Sequence, residues 1–446
     1  MHGDFSRLTF DPRNHFSRVL VQQGRVYLDA EPNEQAALLL HVMRGLTRDL
    51  LGPHGVPSQA ATVTGFRIEP SIAAAAGKRG FEITGGHYYV DGILCENDEA
   101  RAAYFAQPDY FPDAATDPLP NGKYLACLDV WERHVTYVDH ALLRETALGG
   151  PDTASRAQIV WQVRAVEPPD AGFSNPPTLD EITLAVQGRT AAQRPLMRAR
   201  TKPGEVSTTP CVMPPSGGYR GRENQLYRVE VHQGGPAGTA TLKWSRDNGS
   251  ITFPVSAVSA TSATVEALGL DPTRTLVGGD WVELLDDVAV LHGRAGVLAR
   301  VQSIDQSRQV RLVAAAGGGA LDTAVSQSRR PFLRRWDHRG APPANGTIGI
   351  TESDDPELGW IDLEDGIQVQ FAPQAAGARY VTGDYWTIAA RTATGSIEWP
   401  TEAGAPAARE PQGVQHHYAP LALMNGAAVD TRYRRVLTTN VVTEPA

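Results

Sequence analysis

Beyond residue 60 the chain is β-rich and heavily punctuated. Its 43 glycines and 32 prolines restrict it to short strands and frequent turns, because both residues disrupt the interior of regular elements and supply turn conformations. Phe81 to Thr84, Gly85-Gly86 and His87 to Val90 read as a hairpin with a glycine turn, and Asp91-Gly92 opens a second turn into Ile93 to Cys95. Tyr124 to Val138 reads as one long strand or a pair of them, apolar in its first half at Leu125, Cys127, Leu128, Val130 and Trp131. Ile159 to Val166 alternates around Trp161 as its partner. Tyr227 to Val231 and Thr241 to Ser245 are further strands, and Asp247-Asn248-Gly249 before Ile251 to Phe253 carries the strongest hairpin signal in the sequence.

Gly279 to Leu284 and Gly383 to Ile388 echo each other, a Gly-Asp pair launching an aromatic strand in each. A duplicated domain and generic strand-start chemistry both account for this. Strands near 281–285, 297–303 and 309–313 suggest a small barrel or sandwich element over 276–315; residues 347–400 read as a further sheet that includes Ile367 to Phe371 and Tyr385 to Ala389, and Gly317 to Gly319 as a loose turn. Between 167 and 220 the pattern weakens around Pro168-Pro169, Pro176-Pro177, Pro203, Pro210 and Pro214-Pro215. Within it Thr178 and Glu181 make a capping box for one short helix ending near Gln187.

Ahead of the β region, Gln22 to Gln35 joins an extended segment to the one long helix. Gly24 suits a left-handed turn, Val26 and Leu28 alternate as in a strand, and Asp29 and Glu31 set negative charge at the unpaired N–H groups of the helix start. The spacing predicts a helix from Pro32 to Leu51, about 30 Å long, stopped by Gly52-Pro53. Ala36, Leu39, Val42, Met43, Leu46 and Leu50 form one apolar face; Glu34, His41, Arg44 and Arg48 lie off it, and Leu38, Leu40 and Leu51 form a second patch. Two apolar patches ask for two partners, the chain's own body and a neighbouring subunit, or for burial of every leucine in one domain. The expected assembly interface comprises Gln22, Gln23, Gly24, Arg25, Asp29, Asn33, Glu34 and Leu38.

A chain of 446 residues is too long for one small core. The expected organisation is an N-terminal arm and anchoring helix at 1–58, a first β domain at 59–170, a Pro-rich connection with a short helix at 171–220, a second β domain at 221–345 and a C-terminal β region with a tail at 346–446. With 41 basic and 50 acidic side chains, the net charge of −9 gives no general attraction to nucleic acid or anionic membrane, and no specific nucleic-acid partner is expected. Two arginine clusters stand out nonetheless: Arg194, Arg198, Arg200 and Lys202, and Arg329, Arg330, Arg334, Arg335 and Arg339. Paired surface arginines are the simpler reading of both. Cys95, Cys127 and Cys211 make neither a disulfide framework nor a zinc pattern. Neither a signal peptide nor an apolar run of membrane-spanning length is evident, so synthesis and folding in a cytoplasm are expected.

Among candidate chemistries, Glu132 and His134 share one face of a strand, with Asp139 and His140 a few residues on, as in an acid/base cluster. No nucleophile motif accompanies them, and structural hydrogen bonding is the simpler expectation. His416-His417 point to opposite sides of an extended segment, so only one of them suits a given metal. Clustered carboxylates at Glu352, Asp354, Asp355, Glu357, Asp362, Glu364 and Asp365, and at Asp109, Asp113 and Asp117, lack EF-hand spacing and read as solvated loops. Phosphate-loop, His-Glu-x-x-His and Gly-x-Ser-x-Gly strings are absent. No catalytic residue, cofactor or metal is assigned.

Phe5 to Pro12, Gln22 to Gln35, Trp131 to Thr136, Arg144 to Thr153, Trp161 to Val163, Glu223 to Val229, Lys243 to Arg246, and Gly383 to Trp386 through Glu398 to Pro400 together resemble an uncharacterised bacterial family associated with phage tail-like contractile injection systems. The Gly24 to Gln35 string also resembles the N-terminal anchor of phage baseplate and tail-fibre proteins, with Pro32 where that motif has Trp. The resemblance implies other subunits of a tail-like particle as partners and release outside the cell as part of that particle. It brings no activity. The expectation is a mainly β, multidomain protein of sandwich- and barrel-like modules with a strand and long-helix anchor, serving as a non-enzymatic baseplate, spike, fibre-adaptor or cap component. A glycan- or surface-binding module using Tyr110, Phe111, Trp360 and Trp399, and a cell-wall or carbohydrate hydrolase using paired carboxylates, are the alternatives.

Overall fold

A computed structural model describes residues 1–57, 65–70, 80–112, 118–150, 152–169, 172–204, 217–269, 271–315, 320–321, 325, 329–338, 346–374, 378–426 and 428–437. The chain is mainly β with frequent turns, as expected, but four of its strands run to 10–13 residues rather than staying short. After helix α1 (Ala30–Leu51), strands β1 (His54–Pro57), β2 (Ile68–Pro70), β3 (Phe81–Val90) and β4 (Ile93–Ala103) form one sheet, and β5 (Lys123–Val135) and β6 (Arg156–Val166) begin another. Helix α2 (Leu179–Gln187) follows, its start fixed by the reciprocal Thr178 and Glu181 capping box.

Strands β7 (Met197–Thr201), β8 (Gln225–Gln233) and β9 (Thr241–Ser245) then open a second body. The chain leaves it for a six-stranded closed barrel of β10 (Thr252–Ser259), β11 (Ser262–Val265), β12 (Trp281–Leu285), β13 (Val297–Ile304), β14 (Gln309–Ala314) and β15 (Phe332–Trp336), with short helix α3 (Asp287–Leu291) after β12. On leaving the barrel, β16 (Ile348–Gly349) returns to pair with β9, β17 (Ile361–Asp362) and β18 (Ile367–Phe371) extend from β7, and β19 (Tyr385–Arg391) and β20 (Ser396–Glu398) pair onto β8. A small hairpin, β21 (Thr401–Glu402) and β22 (Ala405–Pro406), precedes the last return. There β23 (His417–Asn425) pairs with β5, β24 (Ala428–Asp430) with β23, and β25 (Val436–Leu437) runs parallel to β1. The barrel is therefore inserted within the second sandwich, and that sandwich within the first.

Each body buries its own alternating face. Phe66, Ile83, Tyr88, Leu128, Trp161 and Leu421 belong to the first core, Tyr227, Val229, Trp244, Val369, Phe371 and Trp386 to the second, and Phe253, Val282, Leu284, Val301, Leu312 and Leu333 fill the barrel. Nesting divides the expected segments differently. The 346–446 region contributes β16 to β20 to the second sandwich and β23 to β25 to the first, so the first is closed by strands far along the chain. The barrel spans 252–336 rather than 276–315, though its strands β12, β13 and β14 coincide with those expected. Within 347–400, Ile367–Phe371 and Tyr385–Arg391 lie in two facing sheets rather than one.

Two turn expectations are corrected. Gly85-Gly86 is not a hairpin turn: β3 runs through it, bulging between Thr84 and Gly86 against β4. A Cβ at Gly85 would lie 2.3 Å from the Glu99 carbonyl, so the glycine serves close strand approach, while Asp91 (φ 49) and Gly92 (φ 80) make the turn. Asn248 (φ 53) and Gly249 (φ 64) have hairpin-turn dihedrals, yet β9 pairs with β8 and β16 whereas β10 pairs with β11 and β15. The turn carries the chain from sandwich to barrel, and buried Asn248 donates to the carbonyls of Met1 (3.1 Å) and Gly3 (2.8 Å). The Gly279-Asp280 and Gly383-Asp384 echo sits in two different bodies, with Asp280 and Asp384 accepting the Val277 and Val381 amides. Cys95 and Cys127 are free and buried; Cys211 lies outside the described residues.

Candidate functional site

Helix α1 begins two residues before the expected start, at Ala30, and ends where Gly52 (φ 82) returns its N–H to the Arg48 carbonyl at 2.7 Å. Its attachment to the body is mostly polar. Arg44 reaches Glu132 (2.7 Å), Arg48 reaches Asp91 (3.3 Å), Glu34 accepts from the Thr9 hydroxyl (2.6 Å), and the Phe10 ring tilts against His41. Gly92 meets the Arg44 backbone so closely that an added Cβ would lie 2.3 Å from its carbonyl oxygen.

The chain covers neither apolar patch of this helix as a whole. Leu38, placed in the expected assembly interface, is 3% exposed within the chain, whereas the longer stripe points outward: Leu39 is 55% exposed, Val42 58%, Met43 62%, Leu46 59% and Leu50 73%. The stripe lost the competition because the body offers α1 carboxylates and a turn, which attract Arg44, Arg48 and a close backbone approach rather than leucines. The preceding arm continues the uncovered surface at Phe16, Leu20, Val21, Val26, Tyr27 and Leu28. No strand forms at Val26 and Leu28. Gln22, Gln23, Gly24, Arg25, Asp29 and Asn33 are exposed, and Gly24 takes φ 71. Asp29 does not cap the helix; it accepts the Ser6 amide at 2.9 Å, and Glu31 accepts that of Leu28 at 2.6 Å.

A second feature lies where the three bodies meet, a cavity of about 350 Å³. On β8, Tyr227, Val229 and Val231 enter the sandwich core, so Arg228 and Glu230 face the barrel wall, as does Lys243 of β9. On the barrel, Val282, Leu284 and Leu333 point inward, which sends Glu283 and Arg334 outward to meet them. Glu230 accepts from Arg228 (2.6 Å), His2 (3.0 Å) and Lys243 (3.3 Å). Glu283 accepts from Lys243 (2.6 Å), Trp336 Nε1 (2.9 Å) and the Gly296 amide (2.9 Å). Burial alone would raise both acids, but the Arg228 and Lys243 cations beside Glu230, and Lys243 with His232 beside Glu283, hold them well below the ordinary carboxylate range. The Met1 amine donates to the Tyr385 hydroxyl at 2.6 Å. His134 lines the same cavity, the Phe5 ring edge-on to it at 6.1 Å, and burial with the surrounding cations pushes it down to about 3.

The sequence profile of DUF6519, a family of unknown function, matches residues 1–193 and 178–438. The chain belongs to this family. No curated protein and no solved structure matches it.

In this DUF6519 chain most of the remaining polar candidates are held by protein partners. Glu132 is bound to Arg44, Asp139 accepts from Arg133 (2.5 Å) and the Thr136 amide (2.9 Å), and His140 is exposed. His416 and His417 diverge as expected, to Asp129 (2.7 Å) and Asp91 (2.8 Å). In the acidic stretch, Glu352 accepts from Tyr380, Asp354 meets Arg198, Asp355 caps the Glu357 amide, Asp362 accepts from Gln368, and Glu364 accepts from Tyr227 and Arg246. Asp113, Asp117 and Arg339 lie outside the described residues. Among the described residues no group of three potential metal ligands assembles, and no helix is long and apolar enough to cross a membrane.

Proposed function

We propose that this DUF6519 protein is a non-enzymatic structural subunit, held in a larger assembly by the outer face of α1. The observation that carries the reading is the uncovered apolar stripe. Ala36, Leu39, Met43, Leu46 and Leu50 follow alternating steps of three and four residues, the spacing of a coiled-coil seam, with Leu40 and Val42 flanking it. The occupant proposed is therefore a helix of a neighbouring subunit, with the apolar arm at 16–28 extending the contact. A continuous exposed apolar surface of this kind marks an interaction site on a soluble protein. The Gly24 to Gln35 string, which resembles phage baseplate and fibre anchors, suggests a contractile injection or tail-like particle as that assembly, put together in the cytoplasm.

The alternatives have less support. A hydrolase with paired carboxylates needs one of them protonated as general acid, but Glu230 and Glu283 share Lys243 and are held ionised. For a glycan platform, Tyr110 is core, Trp399 packs against the second core, Arg329 covers Phe111 at 3.8 Å and Arg200 covers Trp360 at 3.9 Å.

The test is incorporation of a Leu39→Asp/Leu46→Asp variant into the purified particle. Deleting residues 1–55 would also remove Met1 and His2 from the cavity, so point variants are the cleaner probe. The variant should fold with wild-type melting temperature and be absent from the particle; incorporation at the wild-type level refutes the docking assignment.

A further inference from the structure

Arg334 differs from the other described arginines of its sequence cluster. Arg330 pairs with Asp287, Arg335 with Asp247 and Asp337, and Arg329 lies over Phe111. Arg334 lies over the Phe332 ring at 5.4 Å but has no carboxylate in salt-bridge range among the described residues, and its Nε is buried without an acceptor. Its strand register sets it beside Glu283 on β12 and Thr252 on β10, but Glu283 is already committed to Lys243, Trp336 and Gly296. Glu230 is committed to Arg228, His2 and Lys243, and Asp139 to Arg133. A Cβ at Gly249 would lie 3.6 Å from both Arg228 Cδ and Arg334 Cδ, so the two arginine stems flank one point on the wall. At this point of the wall the cations Arg228, Lys243 and Arg334 stand beside the carboxylates Glu230 and Glu283, and the two carboxylates are already shared with Arg228 and Lys243.

A guanidinium carries five N–H donors in a planar fork that matches a carboxylate, and half-buried Arg334 holds its fork at the cavity wall. His134 Nε2, in the same cavity, is also buried without an acceptor. Beside them the wall carries an apolar patch that includes Leu285, Val290, Leu291, Phe332 and Val414, among further polar residues. A cavity of about 350 Å³ is within the size range of small-molecule sites, which combine an apolar lining with a few convergent polar groups.

We propose that the cavity between the barrel wall and the two sandwiches binds a small monocarboxylic acid with an apolar body, its carboxylate on the Arg334 fork and its body against Leu285, Val290, Phe332 and Val414. A carboxylate matches the planar Arg334 fork, and the apolar patch gives the acid's body a surface that a free inorganic ion does not use. The site is independent of the α1 docking surface, so either assignment can fail without the other.

The experiment is calorimetric titration and thermal unfolding of the full-length protein with octanoate and phenylacetate, against 1-octanol and inorganic phosphate as controls. Saturable one-site binding of at least one of the two acids, with a raised melting temperature, and at least tenfold weaker binding of both controls, is expected. Arg334→Gln should lose at least tenfold in affinity for the acid while its unliganded melting temperature stays near wild type, since no salt bridge is removed. No binding of either acid to wild type, equal binding to Arg334→Gln, or phosphate binding as tight as the acids overturns the proposal. If Arg334→Gln does not fold, a crystal soaked with 4-bromobenzoate decides: bromine anomalous density within the cavity supports the site, and its absence there refutes it.

Discussion

Leu38 and Leu39 are neighbours in sequence and opposites in environment, and replacing each by alanine separates the two faces of α1. Leu38 is 3% exposed. Removing a buried leucine side chain costs about 2–5 kcal/mol through lost transfer energy and the cavity left behind, and a helix on one flank of the body belongs near the lower end, about 2–3 kcal/mol. Leu39 is 55% exposed and alanine is the best helix former, so Leu39→Ala should change the stability of the isolated chain by no more than about 0.5 kcal/mol. In the assembly the order inverts. Full burial of a leucine contributes about 1.5–3 kcal/mol, and the exposed half or more that a neighbour would cover corresponds to about 1–1.5 kcal/mol. Leu39→Ala/Leu46→Ala should therefore weaken docking by about 2–3 kcal/mol, roughly 30- to 150-fold. Urea unfolding with hydrogen exchange of the α1 amides measures the first effect, and affinity for the isolated neighbouring subunit the second. If Leu39→Ala destabilises the isolated chain as much as Leu38→Ala does, the stripe is not free and the docking argument is wrong.

Other expectations concern the interior. Burial, reinforced by Arg435, pushes His54 down to about 4, and His134 stands at about 3. Both bind protons more readily unfolded, near an ordinary value of about 6.5, so their contribution is complete above that pH and is lost as pH falls toward the folded values. Each contributes a slope of up to about 1.4 kcal/mol per pH unit; urea midpoints at pH 7.5 and 5.0 should show this loss, and His54→Phe should make it shallower. Gly92→Ala, strained at φ 80 and driven against the Arg44 carbonyl, should cost about 1–3 kcal/mol and raise proteolysis within α1 before the rest of the chain is cut. Lys243→Met should destabilise by about 3–5 kcal/mol, because it strips a shared cation from buried Glu230 and Glu283; a wild-type melting temperature for this variant would mean that the two acids are not charged as described.

Local chemistry was legible wherever the sequence alone decides it. The β5 and β6 pair, the Thr178 capping box and the β12 to β14 strands follow from alternation and capping residues close together in the chain. Orientation was harder to read. The α1 stripe has the periodicity of a buried face, and only the distant Glu132 and Asp91 reveal which side the body attracts. Tyr227 to Val231 alternates apolar and charged residues as a half-exposed strand does, yet its charged face is covered by a barrel that the chain builds only later. The isolated signal that pointed to the cavity was the 329–339 arginine cluster, and nothing in its spacing distinguishes the unpaired Arg334 from its paired neighbours. Asn248-Gly249 retained its local turn geometry, while the pairing partners were set by tertiary context.

The nesting of the bodies also sets an order on biosynthesis. Residues 252–336 contain every strand of the barrel, so it can close as soon as β15 leaves the ribosome, whereas β8 gains β19 only afterwards and β5 must wait for β23. At about 5–20 residues per second, the β5 edge that β23 will occupy stays unpaired for roughly a quarter of a minute to a minute. The parts emerging first are completed last, and the flank bearing α1 becomes whole only when nearly all of the chain has been made. A subunit that docks through that flank would thereby be kept from joining its assembly until its interior is already in place.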